Sequence, residues 1–268
     1  ESSLIFPQDF SDCELLPSLT TSGSEIKTTN ITTIKISGIK FVGNLEYKGQ
    51  YFISRDTQDL LVESSCFLVD KVNSKNSNFK FFQISYKESN FDNAILRMNN
   101  LLVSFPLLEF ENRVPELTSS QVYLENIQVN QAHSFFAGLD ISSHQNKLPQ
   151  IFMARNLTFS LKTQTSWCMN LAGWTQLSIQ GYYVQDQTLK SLNSAFLTIR
   201  GSENVSLTDI HIDNNNFVDF NKSPFGIVPE RGLIELDDVD IVSLQNNSFS
   251  NNSIEGSFMS LVEADHTD

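Results

Sequence analysis

A nine-residue pattern recurs seven times along the chain and constrains the fold more than any other feature. Each copy has two alternating apolar residues, two residues of a corner, and two more alternating apolar residues. Alternation with a period of two predicts a strand with one buried face, and recurrence roughly every 34 residues predicts a stack of coils. The copies begin at Ile34, Phe79, Val122, Phe152, Leu177, Val205 and Val239. The seventh departs from the pattern, with Asn246 where an apolar residue is expected.

The second residue of each corner predicts how the chain turns. Gly, Asn and Asp are the residue types that tolerate a positive φ, and they fill five of these seven positions. A left-handed residue at the same place in successive coils predicts a solenoid. The corner positions are Gly38, Gln83, Asn126, Asn156, Gly181, Asp209 and Ser243.

A five-residue motif lies between the copies of the first motif and predicts a third strand in each coil. Its third and fifth positions are apolar throughout, as an inward face requires. A β-sandwich would also show alternating strands, but it gives no reason for one corner to recur. The instances begin at Ser65, Ala94, Phe135, Trp167, Ala195, Gly232 and Ser257.

Over about residues 34–261 these motifs resemble the right-handed parallel β-helix of the pectin-lyase-like superfamily. In that family a two-residue turn with an Asn-like residue joins two strands of each coil, and Asn126 and Asn156 match its asparagine ladder. The resemblance implies an all-β, right-handed parallel β-helix of about seven coils with three short strands per coil. We expect residues 1–33 to be an amino-terminal cap or connector, and residues 34–268 to be the helix, with its last coil incomplete.

The second position of the five-residue motif predicts an interaction surface. Alternation turns this position away from the interior, yet it is apolar in every copy. A stripe of this kind requires a cover, either a long loop such as 99–120 or another molecule. If the register slips locally, the same side chains belong to the core. The stripe comprises Cys66, Ile95, Phe136, Cys168, Phe196, Leu233 and Phe258.

Charge and cysteine content limit the partners. The formal net charge of −13 makes nucleic acid an unsuitable partner, and no apolar stretch is long enough to span a membrane. Residues 1–24 lack the features of a signal peptide, so we expect any such peptide to have been removed. Cys66 and Cys168 occupy one column several coils apart and are expected to be small buried hydrophobes. Cys13 reaches Cys66 only if the amino-terminal segment folds back.

Six Asn-x-Ser/Thr sequons are candidate N-glycosylation sites, although composition alone accounts for about that many. Asn-rich parallel β-helices are typical of secreted and surface proteins in the resembled family, so we expect an extracellular or cell-surface location. Pro224 follows one sequon directly, and a ladder asparagine cannot also carry a glycan. The six asparagines are Asn30, Asn156, Asn204, Asn221, Asn246 and Asn251.

The search for a catalytic constellation finds none, and we predict no catalytic, cofactor-binding or metal site. The sequence lacks HExxH, GxSxG, CxxC and phosphate-loop motifs. His211 is predicted to face solvent between two inward residues. The hydrolases of the resembled fold carry paired aspartates with Gly-His-Gly and Arg-x-Lys segments, and here only the pair Asp237 and Asp238 is present. That acidic cluster, which includes Asp240, is expected to be an exposed turn between coils.

We therefore expect a non-enzymatic structural or interaction subunit of an extracellular surface or filament assembly. It would self-associate, or continue into a longer chain, through the ends of the helix or the apolar stripe. Glycans are candidate partners. Two alternatives remain, a carbohydrate-binding adhesive module and a polysaccharide lyase or hydrolase.

Overall fold

The structure is a computed structural model and describes most of the chain in short segments. The described residues are 12–20, 26–43, 52–55, 57–69, 81–86, 93–103, 108–112, 119–131, 139–143, 149–161, 169–185, 188–190, 197–218, 234–253, 259–262 and 266–267.

A short 3-10 helix, Asp12–Leu15, precedes the strands. The strands are β1 Ser18–Thr20, β2 Ile26–Thr29, β3 Thr33–Ser37, β4 Lys40–Gly43, β5 Phe52–Arg55, β6 Asp59–Val69, β7 Phe82–Tyr86, β8 Asn93–Val103, β9 Leu108–Asn112, β10 Ser119–Gln131, β11 Leu139–Ser143, β12 Gln150–Leu161, β13 Met169–Ala172, β14 Gln176–Gln185, β15 Thr188–Lys190, β16 Leu197–Asp213, β17 Asn216–Val218, β18 Ile234–Gln245, β19 Met259–Val262 and β20 His266–Thr267.

These strands stack in parallel from coil to coil, which confirms the predicted parallel β-solenoid. Each strand of one coil pairs with the equivalent strand of the next, so backbone hydrogen bonds run along the solenoid axis. β15 and β17 form a separate two-stranded parallel sheet. β1 and β2, which lie in the segment expected to be a cap or connector, pair with β4 and β5.

Three faces run along the solenoid, and each is defined by its stacked segments. The first face comprises 33–37, 59–63, 95–99, 121–125, 151–155, 176–180, 204–208, 241–245 and 266–267. The second face comprises 18–20, 40–43, 66–69, 101–103, 127–131, 157–161, 182–185 and 210–213. The third face comprises 26–29, 52–55, 82–86, 108–112, 139–143, 169–172, 197–200, 234–237 and 259–262.

The number of coils differs from the expected seven, since nine described segments stack on the first face. Leu60 and Leu96 each lie in a first-face segment that the repeat did not assign, and β20 adds another. The copy expected at Phe79 is wrong, because Phe82 pairs with Phe52 on the third face.

Two predicted registers are also wrong. The seventh copy is displaced by three residues, because Val205 pairs with Val242 and Val239 pairs with Ser202. On the third face Met169, Leu197, Ile234 and Met259 align as predicted. Leu139, however, pairs with Met169, two residues from its expected partner.

The left-handed corner between the first and second faces is confirmed at five of the seven predicted positions. Ser64, Asn100 and Asn246 occupy the corner in other coils, whereas the predicted Gln83 and Ser243 lie within strands. Several strands continue through this corner without a loop, as β10 does at Asn126. The described corner residues with positive φ are Gly38, Ser64, Asn100, Asn126, Asn156, Gly181, Asp209 and Asn246.

The predicted asparagine ladder between Asn126 and Asn156 is confirmed. The Asn156 side-chain amide donates to Asn126 Oδ1 at 3.0 Å, and the Asn126 amide donates to Asn100 Oδ1 at 3.0 Å. The ladder gives the corners at Asn126 and Asn156 a hydrogen bond to the coil before each.

Inward columns from the three faces form one continuous apolar core. Phe67 and Phe82 are 0% exposed, and their rings meet at 78° with centroids 5.4 Å apart. Such edge-to-face contacts are favourable for aromatic pairs. The core therefore depends on strand register, because a shift by one residue would turn each column outward.

Candidate functional site

Outward side chains of four successive coils form an open groove of about 300 Å³ on the first face. Ser178, Ser206 and Ser243 stand in one column of the parallel register. Their small side chains leave a trough, while Met153 at one end and Ile241 at the other are 39% and 41% exposed. We call this feature the first-face groove. The groove thus combines an apolar side chain at each end with a row of serine hydroxyls.

Asn204 also lines the first-face groove, beside Gln176 in the adjacent column. The Asn204 side-chain amide donates to the Thr175 carbonyl oxygen at 3.3 Å. The sequon that begins at Asn204 thus places both its asparagine and its hydroxyl residue, Ser206, in the groove.

A second group of side chains lies on the second face. The rings of Tyr183 and His211 stack with centroids 5.2 Å apart and an interplanar angle of 5°. The His211 side chain is 33% exposed, and its Nδ1 lies 3.9 Å from Asp213 Oδ2. Asp213 Oδ1 accepts hydrogen bonds from the Ser248 hydroxyl at 3.0 Å and from the Ser250 backbone N–H and hydroxyl, both at 2.8 Å.

These contacts perturb Asp213. Burial by itself raises the pKa of its carboxyl, but the hydrogen bonds from Ser250 and Ser248, together with the charge of His211, lower the pKa below the usual 3.8. Asp213 is therefore held as a carboxylate. The hydroxyls of Ser248 and Ser250 donate to Asp213.

On the third face Arg200 bridges two carboxylates of the next coil. Its Nη2 lies 3.0 Å from Glu235 Oε1, and its Nε lies 3.7 Å from Asp237 Oδ2. No motif in the sequence predicts this ion pair. The guanidinium thus pairs with two carboxylates of the neighbouring coil.

The acidic cluster at 237–240 is not the exposed turn between coils that the sequence suggested, because it lies within β18 and Asp237 is half-buried and paired with Arg200. Asp238 has a φ of 54° and is exposed, and Asp240 is exposed as well.

The prediction that Cys66 is a small buried hydrophobe without a disulfide is wrong. Cys66 is not a free buried thiol, since it forms a disulfide with Cys13. Both cysteines are 0% exposed and pack with Leu16 and Leu102 in a cluster separate from the main core. The amino-terminal segment thus folds back over the second face and covers the outward position of Cys66. The Glu14 carboxylate also pairs with the Lys40 ammonium.

The first two members of the predicted apolar stripe lie on different faces and therefore do not form one column. Cys66 pairs with Lys40 and Leu102 on the second face, whereas Ile95 pairs with Asp59 and Gln121 on the first. The stripe's other members lie outside the described residues: Phe136, Cys168, Phe196, Leu233 and Phe258.

Five of the six sequon asparagines are described, and all five are exposed. Asn30, Asn156, Asn246 and Asn251 have φ values of 52–53° and therefore lie at left-handed turns. Only Asn156 uses its amide in the asparagine ladder. Asn221 lies outside the described residues.

The sequence reasoning missed the first-face groove, although a signal for it existed. The residue after the first apolar position is Met153, Ser178 or Ser206 in three successive copies, which marks an outward column of falling size. Ser243 belongs to the same column but was hidden by the displaced seventh copy.

Within the described residues no three His, Cys, Asp or Glu side chains form a group that could hold a metal ion. The same part of the chain contains no helix long and apolar enough to cross a membrane. The chain matches no protein-family model, no curated protein sequence and no solved structure.

Proposed function

We propose that this chain is a non-enzymatic structural or interaction subunit of an extracellular or cell-surface assembly. The observation that carries the proposal is that outward polar side chains bind one another between neighbouring coils. Tyr183 stacks on His211, Asp213 binds Ser248 and Ser250, and Arg200 binds Glu235. These contacts join one coil to the next and do not converge on a point where a substrate could react.

The Cys13–Cys66 disulfide supports the extracellular location. Disulfides form and persist in oxidising compartments and are rare in the cytosol. The bridge is buried and fixes an apolar contact, which suits a permanent structural role. Resemblance to the non-catalytic surface type of the pectin-lyase-like superfamily forms part of this proposal, and the asparagine corners support it.

Self-association through a coil end, of the kind that builds filaments, is the mode of assembly that we propose. Leu244 occupies the inward column of Leu207 but is 39% exposed, whereas Leu207 is 0% exposed. A further coil, from another copy of the chain or from the same polypeptide, would cover this side chain.

The experiment is electron microscopy of the native protein, with isolated monomers as the result that contradicts assembly.

A second experiment tests the enzymatic alternative: the purified chain and an Arg200→Ala variant are incubated with acidic polysaccharides. We expect no new chain ends from either protein. Turnover by the parent that the variant loses would establish a polysaccharide-processing enzyme in place of the structural subunit.

A further inference from the structure

We propose that Asn204 carries an N-linked glycan and that the first-face groove is the seat of that glycan's core sugars. The inference rests on the extracellular location proposed above, because the glycan is added in the secretory pathway. It assigns an occupant to the groove that is attached to the chain itself.

The folded strand presents both polar residues of the sequon on its outward side. Asn204 and Ser206 are two residues apart on a strand, so their side chains project from the same side, while Val205 between them is 2% exposed and points inward. In the transfer, Asn204 Nδ2 forms a bond to C1 of the first sugar of a lipid-linked oligosaccharide. The bond from C1 to the lipid pyrophosphate breaks, Nδ2 loses one proton, and the lipid pyrophosphate leaves.

The glycosylated amide keeps one hydrogen, so the bond from Asn204 Nδ2 to the Thr175 carbonyl oxygen can persist and orient the first sugar. Asn156 offers the contrasting case. Its amide already donates to Asn126 at 3.0 Å in the ladder, and a glycan there would displace that contact.

The groove has the chemistry that a pyranose needs. A sugar ring has an apolar face of C–H groups and a rim of hydroxyls. Met153 and Ile241 provide exposed apolar surface at the two ends, the hydroxyl of Ser178 lies in a coil between them, and Ser243 lies in the same coil as Ile241. A volume of about 300 Å³ lies at the lower end of the range for small-ligand sites.

Among the described sequon asparagines, only Asn204 lines this groove. Asn30, Asn246 and Asn251 lie at exposed left-handed turns, where an attached glycan would project into solvent. Asn251 therefore provides a matched reference within the same molecule.

The test uses the full chain secreted from a eukaryotic cell. Site-resolved mass spectrometry measures occupancy in the parent, in Asn204→Gln and Ser206→Ala, which destroy the sequon, and in Ser206→Thr, which keeps it. We expect Asn204 to be occupied in the parent and in Ser206→Thr only. An unoccupied Asn204 in the secreted parent overturns the inference.

Whether the groove holds the glycan is tested by the rate at which an endoglycosidase, which cuts within the glycan core, releases it from native and from denatured protein. We expect release from Asn204 to be at least about tenfold slower in the native protein, with release from Asn251 nearly unchanged. Ser178→Phe fills the groove without altering the sequon and should remove the protection at Asn204. Equal native and denatured rates at Asn204 in the parent would show that the glycan is not seated.

These outcomes are separate from those that test the proposed function. An unglycosylated or unseated Asn204 leaves the disulfide and the native assembly as they are. Conversely, monomers under the microscope or polysaccharide turnover would contradict the proposed function without affecting the occupancy of Asn204.

Discussion

Single residues at the left-handed corner decide whether each coil can close. Asn and Asp visit this conformation at a tolerable cost, and glycine visits it freely. Gly181 shows a second constraint, because a Cβ added there would lie 3.0 Å from Asn156 Oδ1 and 3.3 Å from Tyr183 Cε2. The corner therefore requires a suitable φ and also room beside the ladder.

We expect Gly181→Ala to lower the free energy of unfolding by about 1–2 kcal/mol, because alanine is strained at the φ of +75° found there. Gly181→Asn should lose less, since asparagine tolerates the left-handed region. Urea unfolding measures both, with Gln180→Ala at an exposed neighbouring position as the control. Equal losses for Ala and Asn would show that crowding, and not backbone conformation, limits this position.

Asp213 makes stability depend on pH. Its folded-state pKa is lowered, so its contribution is present above the unfolded-state pKa near 3.8 and is lost as the pH falls through the folded-state value. Asp213→Asn should be less stable than the parent at neutral pH by about 1.5–3 kcal/mol, the range for hydrogen bonds to charged groups. The difference in unfolding free energy between Asp213→Asn and the parent should narrow below about pH 4.

Unfolding measured from acid to neutral pH tests the Asp213 prediction. Asp240→Asn, which removes an exposed carboxylate, controls for the loss of one charge. A gap between Asp213→Asn and the parent that stays constant through the acid range would contradict it.

At the scale of the strand, inward columns and not individual strands hold the coils together. Leu207→Ala and Ile210→Ala should each lower stability by about 2–5 kcal/mol, because both side chains are 0% exposed and their loss leaves a cavity. Leu244→Ala provides the matched control, since Leu244 stands in the column of Leu207 but is 39% exposed. A loss at Leu244 as large as that at Leu207 would mean that another copy of the chain covers this end in solution.

Strand alternation and corner residues were sufficient to predict the class of the fold and most of the corner column. They could not fix the register everywhere, because all three faces alternate with the same period of two. Leu96 and Met98 fit the motif of the third face and of the first equally well, and they belong to the first. Ser64 gave no signal, since serine is not a typical left-handed residue.

The candidate site was less predictable than the fold. The groove exists because small residues align across coils, and that alignment requires the register that the sequence left open. The disulfide depends on how the segment before the first coil folds back, which no repeat pattern encodes. Coil spacing also varies, from 25 residues between Asn156 and Gly181 to 37 between Asp209 and Asn246, so a fixed period misplaces residues.

At the scale of the molecule, the Cys13–Cys66 bridge stabilises the amino-terminal end of the solenoid. The double variant Cys13→Ser, Cys66→Ser should lose about 4 kcal/mol, from the closure entropy of a loop with a sequence separation of 53. Glu14→Gln is the control, since it removes an ion pair of the same segment and should cost less than about 1 kcal/mol. An unfolding midpoint of the parent that does not move on adding reductant would contradict this role.

The same bridge determines how the molecule bears mechanical load. When the chain is pulled from both ends, tension crosses from Cys13 to Cys66 through the sulfur atoms and bypasses the coils between them. At about 3.4 Å per extended residue, the bridge withholds roughly 180 Å of contour length from stretching. Single-molecule extension with and without reductant should differ by that length. A chain under such tension would lengthen only from its unbridged part, while its first coils keep their shape.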